Sequence, residues 1–297
     1  MRTVKTAKSA QATVEKAGRV TTVKTARTRR PLAPALSALL LVAAALCAAL
    51  GSLIAPHALD QDLYTGVVGA GVEGHLLGTD QLGRDILQLS VAGARSALVG
   101  PVLVACGSML LGAGLGLLAG YHGGVLDALV GRYADLVLAL PAVLLAVVVA
   151  GLLGGGYWVT VAVLTVLFSP SDVRLVRAAV LEQTTRPYID SARLLGIGSG
   201  RIMIRHILPN IAPTVVANVL LNAAFALVAL SSLSYLGLGA PPGAPDWGRQ
   251  LADGRELLGD NPLASIVPGV LIILTATAVN LLGDWVFERL DRTVALR

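Results

Sequence analysis

Six apolar blocks dominate what this chain can fold into. They lie at approximately 33–55, 96–120, 128–151, 157–181, 211–239 and 264–287. Crossing a hydrocarbon core takes about 20 helical residues. A backbone in lipid must satisfy its own hydrogen bonds, which leaves helices or closed barrels. Barrel strands would read as segments of about ten residues with alternating polarity. These blocks are long, unbroken runs of Ala, Val, Leu and Gly, so they read as helices. Only 14% of the 297 residues are charged, against about a quarter in soluble domains, and the mean hydropathy is +0.74. The expected fold is an all-α, polytopic transmembrane bundle of six spans.

The charges that remain set an orientation, because Lys and Arg collect on the cytoplasmic side. Residues 1–31 carry nine Lys/Arg and one acid, Glu15. The stretch from Ala55 to Arg95 holds five acids and two arginines, and that from Pro241 to Pro262 holds four acids and two arginines. Between Arg174 and Arg205 there are six arginines. With six spans these biases agree: both termini and the arginine-rich segment inside, the two acidic loops outside. The organisation is then a basic cytoplasmic tail, read as disordered, over 1–31; a first span and an outer loop over 32–95; and a transmembrane domain over 96–292 with a polar loop at 184–209. The apolar block after the tail is too long for a signal peptide and shows no small-residue cleavage site before Pro56. The net charge of +5 does not imply nucleic acid, because the positives cluster at span edges and in the tail.

Packing features are visible inside the blocks. Gly112, Gly116 and Gly120 recur every four residues and offer a face for close helix approach, either within the chain or between subunits. Pro141 and Pro170 should kink their spans and free carbonyls that neighbouring helices must satisfy. Cys47 and Cys106 read as small buried hydrophobes rather than a disulfide or metal pair.

One segment breaks the apolar pattern: YIDSARLLGIGSGRIMIRHILPN, from Tyr188 to Asn210. It reads as two short helices joined by glycines. Pro187 suits a first helical turn, and Tyr188, Ala192 and Leu195 fall on one face. Gly196 can take the left-handed conformation that ends a helix. Ser199 can cap a second helix running to about Leu208 and stopped by Pro209. Such a hairpin, with Ser191 and Ala192 on its surface, suits docking into another protein, and its arginines suit lipid headgroups or an acidic partner. The plain alternative is a solvated connecting loop.

This segment resembles the coupling motif of bacterial ABC importer permeases: Glu-Ala-Ala, three residues, Gly, then about nine residues and an apolar-Pro ending. Here it stands as Asp190-Ser191-Ala192, Gly196 and His206-Ile207-Leu208-Pro209, with Asp for Glu and Ser for the first Ala. HLLGTDQLGRDIL (His75 to Leu87) followed by Gly93-Ala94-Arg95 resembles the signature of the second permease subunit of dipeptide, oligopeptide and nickel importers. SYLGLGAPPGAPDWGRQLADG (Ser234 to Gly254) and NLLGDWVFERLDR (Asn280 to Arg292) continue the same family's order and spacing. The resemblance covers residues 75 to 292 and implies a type I ABC importer transmembrane domain with cytoplasmic coupling helices, in a bacterial inner membrane. It further implies a second, homologous permease, two ATP-binding subunits that hold ATP and Mg, and an extracytoplasmic substrate-binding protein. Short peptides are the first cargo it suggests, nickel or a metal chelate the second. Asp190, Ser191, Ala192, Gly196, His206, Leu208 and Pro209 would then couple this chain to the ATPases.

The outer motif Gly78-Thr79-Asp80-Gln81-Leu82-Gly83-Arg84-Asp85 alternates turn formers with charges. Thr79 or Asp80 can cap a short helix, and Arg84 can pair with Asp80 or Asp85. It reads as an ordered lid element near the entrance, with a purely structural role as the alternative.

Other chemistries find little support. No G-x-x-x-x-G-K-[ST] phosphate loop exists, and GIGSGR at Gly196 lacks the lysine, so no cofactor is expected in this chain. There is no H-E-x-x-H, and Leu281 breaks the glycine pattern that an intramembrane aspartyl protease would show before Gly283-Asp284, so no catalytic residue is assigned. An ion-coupled carrier usually holds ionisable groups in mid-span; the nearest found are Asp127, Arg132 and Asp135, close to the inner end of the third span. The spans supply only Cys47, Cys106 and Met109 as soft metal ligands, so no metal site is expected.

Overall fold

The computed structural model describes residues 32–72 and 74–295; the basic tail assigned to 1–31 lies outside them. Helix α1 covers Leu32–Ile54, α2 Ile86–His122, α3 Gly124–Leu138, α4 Ala142–Leu152, α5 Tyr157–Thr184 and α6 Pro187–Leu194. A short α7, Ser199–Ile202, runs through a π-helical turn, Met203–Ile207, into α8, Leu208–Tyr235. Next come α9, Trp247–Gly254, and α10, Leu263–Ala295. Among the described residues the only β pairing is two isolated bridges in the loop before α2.

Five of these helices are long and apolar enough to cross a bilayer uninterrupted, α7 and α8 counting as one. The expected third span, 128–151, is not a straight helix. It divides into α3 and α4, bent by 87° at Pro141, and makes a sixth crossing only when the bent pair is counted as one span. The cause is local: Pro141 has no N–H to continue α3, disfavours helical geometry at the residue before it, and starts α4 from an extended φ/ψ of −58°/120°.

Pro170 behaves differently. Helix α5 continues through it without a break, and the carbonyl four residues earlier, on Val166, loses its helical donor. The Tyr133 hydroxyl on α3 donates to that oxygen at 3.1 Å and the Ser169 hydroxyl at 2.9 Å. A neighbouring helix does satisfy the freed carbonyl, as the proline requires.

Helix α2, at 37 residues or about 55 Å, is the central post. Its Gly112, Gly116 and Gly120 face α5 within this same chain. A Cβ on Gly116 would meet Val176 at 2.9 Å, and one on Gly120 would meet Val180 at 2.9 Å; at Gly112 it would collide with Asp172. The glycine face is therefore an intrachain packing seam. Around it, Val104 of α2, Ala146 and Ala150 of α4, Leu164 of α5 and Leu233 of α8 form the main buried cluster. Cys106 departs from expectation: it is exposed on the chain's surface, and Cys47 is half-buried. An apolar residue in a membrane bundle need not face the core, since lipid and partner subunits accept it equally well.

Candidate functional site

The polar segment folds as a hairpin based on the bundle. Helix α6 closes in a Schellman motif: the Ile197 N–H donates to the Ala192 carbonyl at 3.1 Å and the Gly196 N–H to the Arg193 carbonyl at 3.0 Å. This requires a left-handed residue, and Gly196 has φ +72°. Ile197 packs back beside Ala192, the apolar contact that accompanies the motif.

The second half departs from the expected pattern. Gly198, not Ser199, is the N-cap residue, with no side-chain cap bond. Pro209 does not stop the helix. It falls in the first turn of α8, just after the π turn, where the Leu208 N–H reaches back five residues to Met203. The wider turn absorbs the proline's missing donor, and the Asn210 side chain donates to the His206 carbonyl at 2.7 Å. Chain continuity from hairpin to span is thus helical throughout.

The expected contact face is also revised. Ala192 is buried at 5% exposure beside Ile189 at 0%, and they face Val176 and Val180 of α5 and Met109 of α2. Tyr188 and Leu195 lie off that face. The shared apolar face is Ile189–Ala192, because a short helix buries only an i, i+3 pair against one groove. What the hairpin presents outward is Leu194 at 90%, Leu195 at 79% and Ile204 at 67%, with Ser191 and Asp190 exposed. Asp190 pairs with Arg193 at 3.3 Å, and the Arg193 guanidinium lies 5.4 Å from the centroid of the Tyr121 ring at the end of α2. His206 is half-buried, Leu208 packs partly into the hairpin's base and Pro209 is exposed.

The outer motif is a clamp. Thr79, fully buried, donates to the Gly66 carbonyl at 2.7 Å and accepts from the Val68 N–H at 2.8 Å. Asp80 caps no helix. One of its oxygens accepts from the Leu82 and Arg84 N–H groups, both at 2.9 Å; the other accepts from Arg84 Nε at 2.7 Å. Arg84, buried with it, also donates to the Gly243 carbonyl at 2.8 Å, tying this loop to the one before α9. Asp85 is the cap: it accepts from the Gln88 N–H at 3.0 Å to start α2, and meets His75 Nδ1 at 2.7 Å. Gly78 and Gly83 have φ of +78° and +69°, and a Cβ on Gly83 would overlap the Asp62 carbonyl. Asn261 fastens the far side by donating to the Leu77 and Thr79 carbonyls at 3.0 and 3.2 Å.

Of the ionisable groups noted in the third span, Asp127 takes both Nε and Nη2 of Arg177, and Asp135 meets Arg174 at 2.5 Å. These pairs join α3 to α5. The sequence does not single out Asp172 of α5, which is fully buried, with Asn218 and Asn222 of α8 both donating to its Oδ1, at 2.5 and 2.7 Å. Its Oδ2 has no partner among the described residues. The signal was an aspartate inside the expected 157–181 span, masked by the arginines that come after it.

This geometry can be set beside known proteins. Residues 112–296 match the model of the family described as binding-protein-dependent transport system inner membrane component. The chain belongs to that family. The permease is 37% identical over 217 residues to the glutathione transport system permease protein GsiD of Pectobacterium atrosepticum, covering 73% of this chain and 72% of that one. It is 38% identical over 216 residues to the di/tripeptide transport system permease protein DppC of Pseudomonas aeruginosa, covering 73% and 71%. Its fold is that of a chain in the inward-facing MetNI methionine ABC transporter, at TM-score 0.54 and 20% identity over 70% of this chain and 97% of that one. The permease is therefore a multi-pass inner-membrane transport subunit.

Proposed function

We propose that this permease is one of two membrane-spanning halves of an ATP-driven importer of short peptides. The cargo matches the relatives, which are named for glutathione and for di- and tripeptides. The observation that carries the coupling role is the hairpin: a rigid, buried base on α2 and α5 with an exposed apolar tip, Leu194, Leu195 and Ile204, flanked by Arg193, Arg201 and Arg205. A tip of that kind fits an apolar groove with an acidic rim on a separate ATPase subunit. ATP and Mg are held there, since this chain has no phosphate loop. Two such ATPases, a homologous permease and an external binding protein complete the assembly. Closure of the ATPases moves the hairpin, and the hairpin moves α5 and α8 as one packed body between two states. Asp190 and Ser191 contact the ATPase, Ala192 and Gly196 set the hairpin's shape, and His206, Leu208 and Pro209 carry its return into α8. Both termini are cytoplasmic, and the clamp around Asp80 and Arg84 faces outward, where it orders the entrance.

The test is reconstitution. The permease alone should hydrolyse no ATP above background. With its partner permease, two ATPases and binding protein in proteoliposomes, it should take up labelled di- or tripeptide only with ATP. Uptake of nickel or its chelate in place of peptide would overturn the cargo, and hydrolysis by the pure chain would overturn the division of labour.

A further inference from the structure

At the end of the bundle away from the hairpin lies a cavity of about 370 Å³, between α2, the start of α5 and the loop leading to α9. Its size falls in the range of small-molecule sites. The hairpin leaves from the other end of α5, about 40 Å along that helix of 28 residues. Val99 contributes to an apolar floor, and Tyr157 and Trp158 form an aromatic wall. The wall is braced: the Tyr157 hydroxyl donates to the Ser96 carbonyl at 2.5 Å, and the Ser96 hydroxyl donates to the Pro245 carbonyl at 3.1 Å. Trp158 is 64% exposed.

Two opposite charges line this space, Arg95 and Asp246. Arg84, Arg174, Arg177, Arg186, Arg193 and Arg249 each meet a carboxylate. Arg95 meets none among the described residues and is exposed, so its planar fork of donors is open to a carboxylate ligand. Asp246 uses Oδ1 to accept from the Arg249 N–H at 3.0 Å, capping α9. No hydrogen bond among the described residues engages its other oxygen. An unpaired guanidinium, a carboxylate with a free oxygen and an indole face around an apolar floor match the pattern of a small zwitterion.

We infer that this cavity is an entry site for a short peptide with free termini. The peptide's carboxylate binds Arg95, its ammonium group binds Asp246 and the face of Trp158, and its side chains lie over the apolar floor. The inference rests on the peptide cargo proposed above and adds where the peptide is held before it crosses.

The experiment uses the complete complex in proteoliposomes with labelled alanylalanine as probe. Arg95→Gln should lower maximal uptake at saturating loaded binding protein by about tenfold or more, the loss expected from one charge-assisted contact. Arg95→Lys should keep an intermediate rate, and the half-saturating binding-protein concentration should stay where it was. A direct reading comes from Val99→Cys on a background with Cys47 and Cys106 changed to Ser. Alanylalanine should slow alkylation at position 99, and Arg95→Gln should remove that protection. Undiminished uptake by Arg95→Gln while the parent complex moves peptide would overturn this inference and leave the cargo reading intact. A raised half-saturating binding-protein concentration with unchanged maximal uptake would also overturn it, assigning Arg95 to protein docking instead. If the parent complex moves no di- or tripeptide, both readings fall.

Discussion

Replacing Gly196 tests whether the hairpin is a coupling element or a connecting loop. At φ +72° a side chain with a Cβ is strained, yet a Cβ built there meets nothing within 4 Å. The cost within this chain is therefore backbone strain alone, about 1–2 kcal/mol. That shifts a local equilibrium by a factor of about 5 to 30. It falls on the Schellman closure, while Ile189, Ile202 and Ile207 beneath it remain fully buried. The spans lie outside the reach of this change, so Gly196→Val should insert at normal abundance. In the assembled complex the distorted tip should bind the ATPases poorly, and uptake per ATP hydrolysed should fall. Gly196→Asn, which tolerates the left-handed region better, should lie between Val and the parent. Membrane abundance, ATPase co-purification and the ratio of uptake to hydrolysis separate the cases. Full transport by Gly196→Val would refute the coupling role; a defect at normal abundance traces to the hairpin's shape, because a Cβ there meets no other atom of this chain within 4 Å.

Four further outcomes are expected. Asp190→Ala should leave membrane abundance unchanged, since its ion pair with Arg193 is 3.3 Å long with both side chains exposed and such pairs are worth about 0–1 kcal/mol, and should lower ATPase co-purification less than Gly196→Val does; undiminished co-purification would remove Asp190 from the ATPase contact. Asp80→Ala should cost about 3–5 kcal/mol, because it leaves Arg84 buried and unpaired; detergent melting should show a large drop, with the double change Asp80→Leu/Arg84→Met recovering part of it. Asp172→Leu should destabilise by about 2 kcal/mol or more by stranding the Asn218 and Asn222 donors, while Asp172→Asn should cost less; equal melting of both variants would sink the view that this carboxyl ties α5 to α8. On orientation, cysteines at Tyr64, fully exposed, should label with an impermeant thiol reagent in intact cells, and those at Leu194 should not; the reverse pattern inverts the topology.

How much was legible from residues alone differs from element to element. The helices were, because a 20-residue apolar run has one solution in lipid. Gly196 was, since a glycine after a short amphipathic helix marks the one conformation other residues avoid, and the glycine repeat of α2 announced a close approach. Hydropathy does not distinguish the core from lipid or a partner subunit, all of which are apolar. So Cys106, apolar by its neighbours, is exposed, and Ala192, a surface residue by sequence, packs inward beside Ile189. Proline was ambiguous for a related reason. It removes one donor everywhere, but the local geometry depends on which neighbour supplies a replacement. Tyr133 reaches Val166 where α5 continues unbroken through Pro170, and a π turn carries the chain through Pro209. At Pro141 the chain instead folds by 87°. The clamp likewise needed tertiary structure: the sequence placed Asp80, Arg84 and Asp85 within six residues, and only the Gly243 carbonyl, 159 residues from Arg84, and the start of α2 decided which acid pairs and which one caps. Asp172 makes the same point, because two asparagines 46 and 50 residues away turn an isolated acid in a span into a junction between helices.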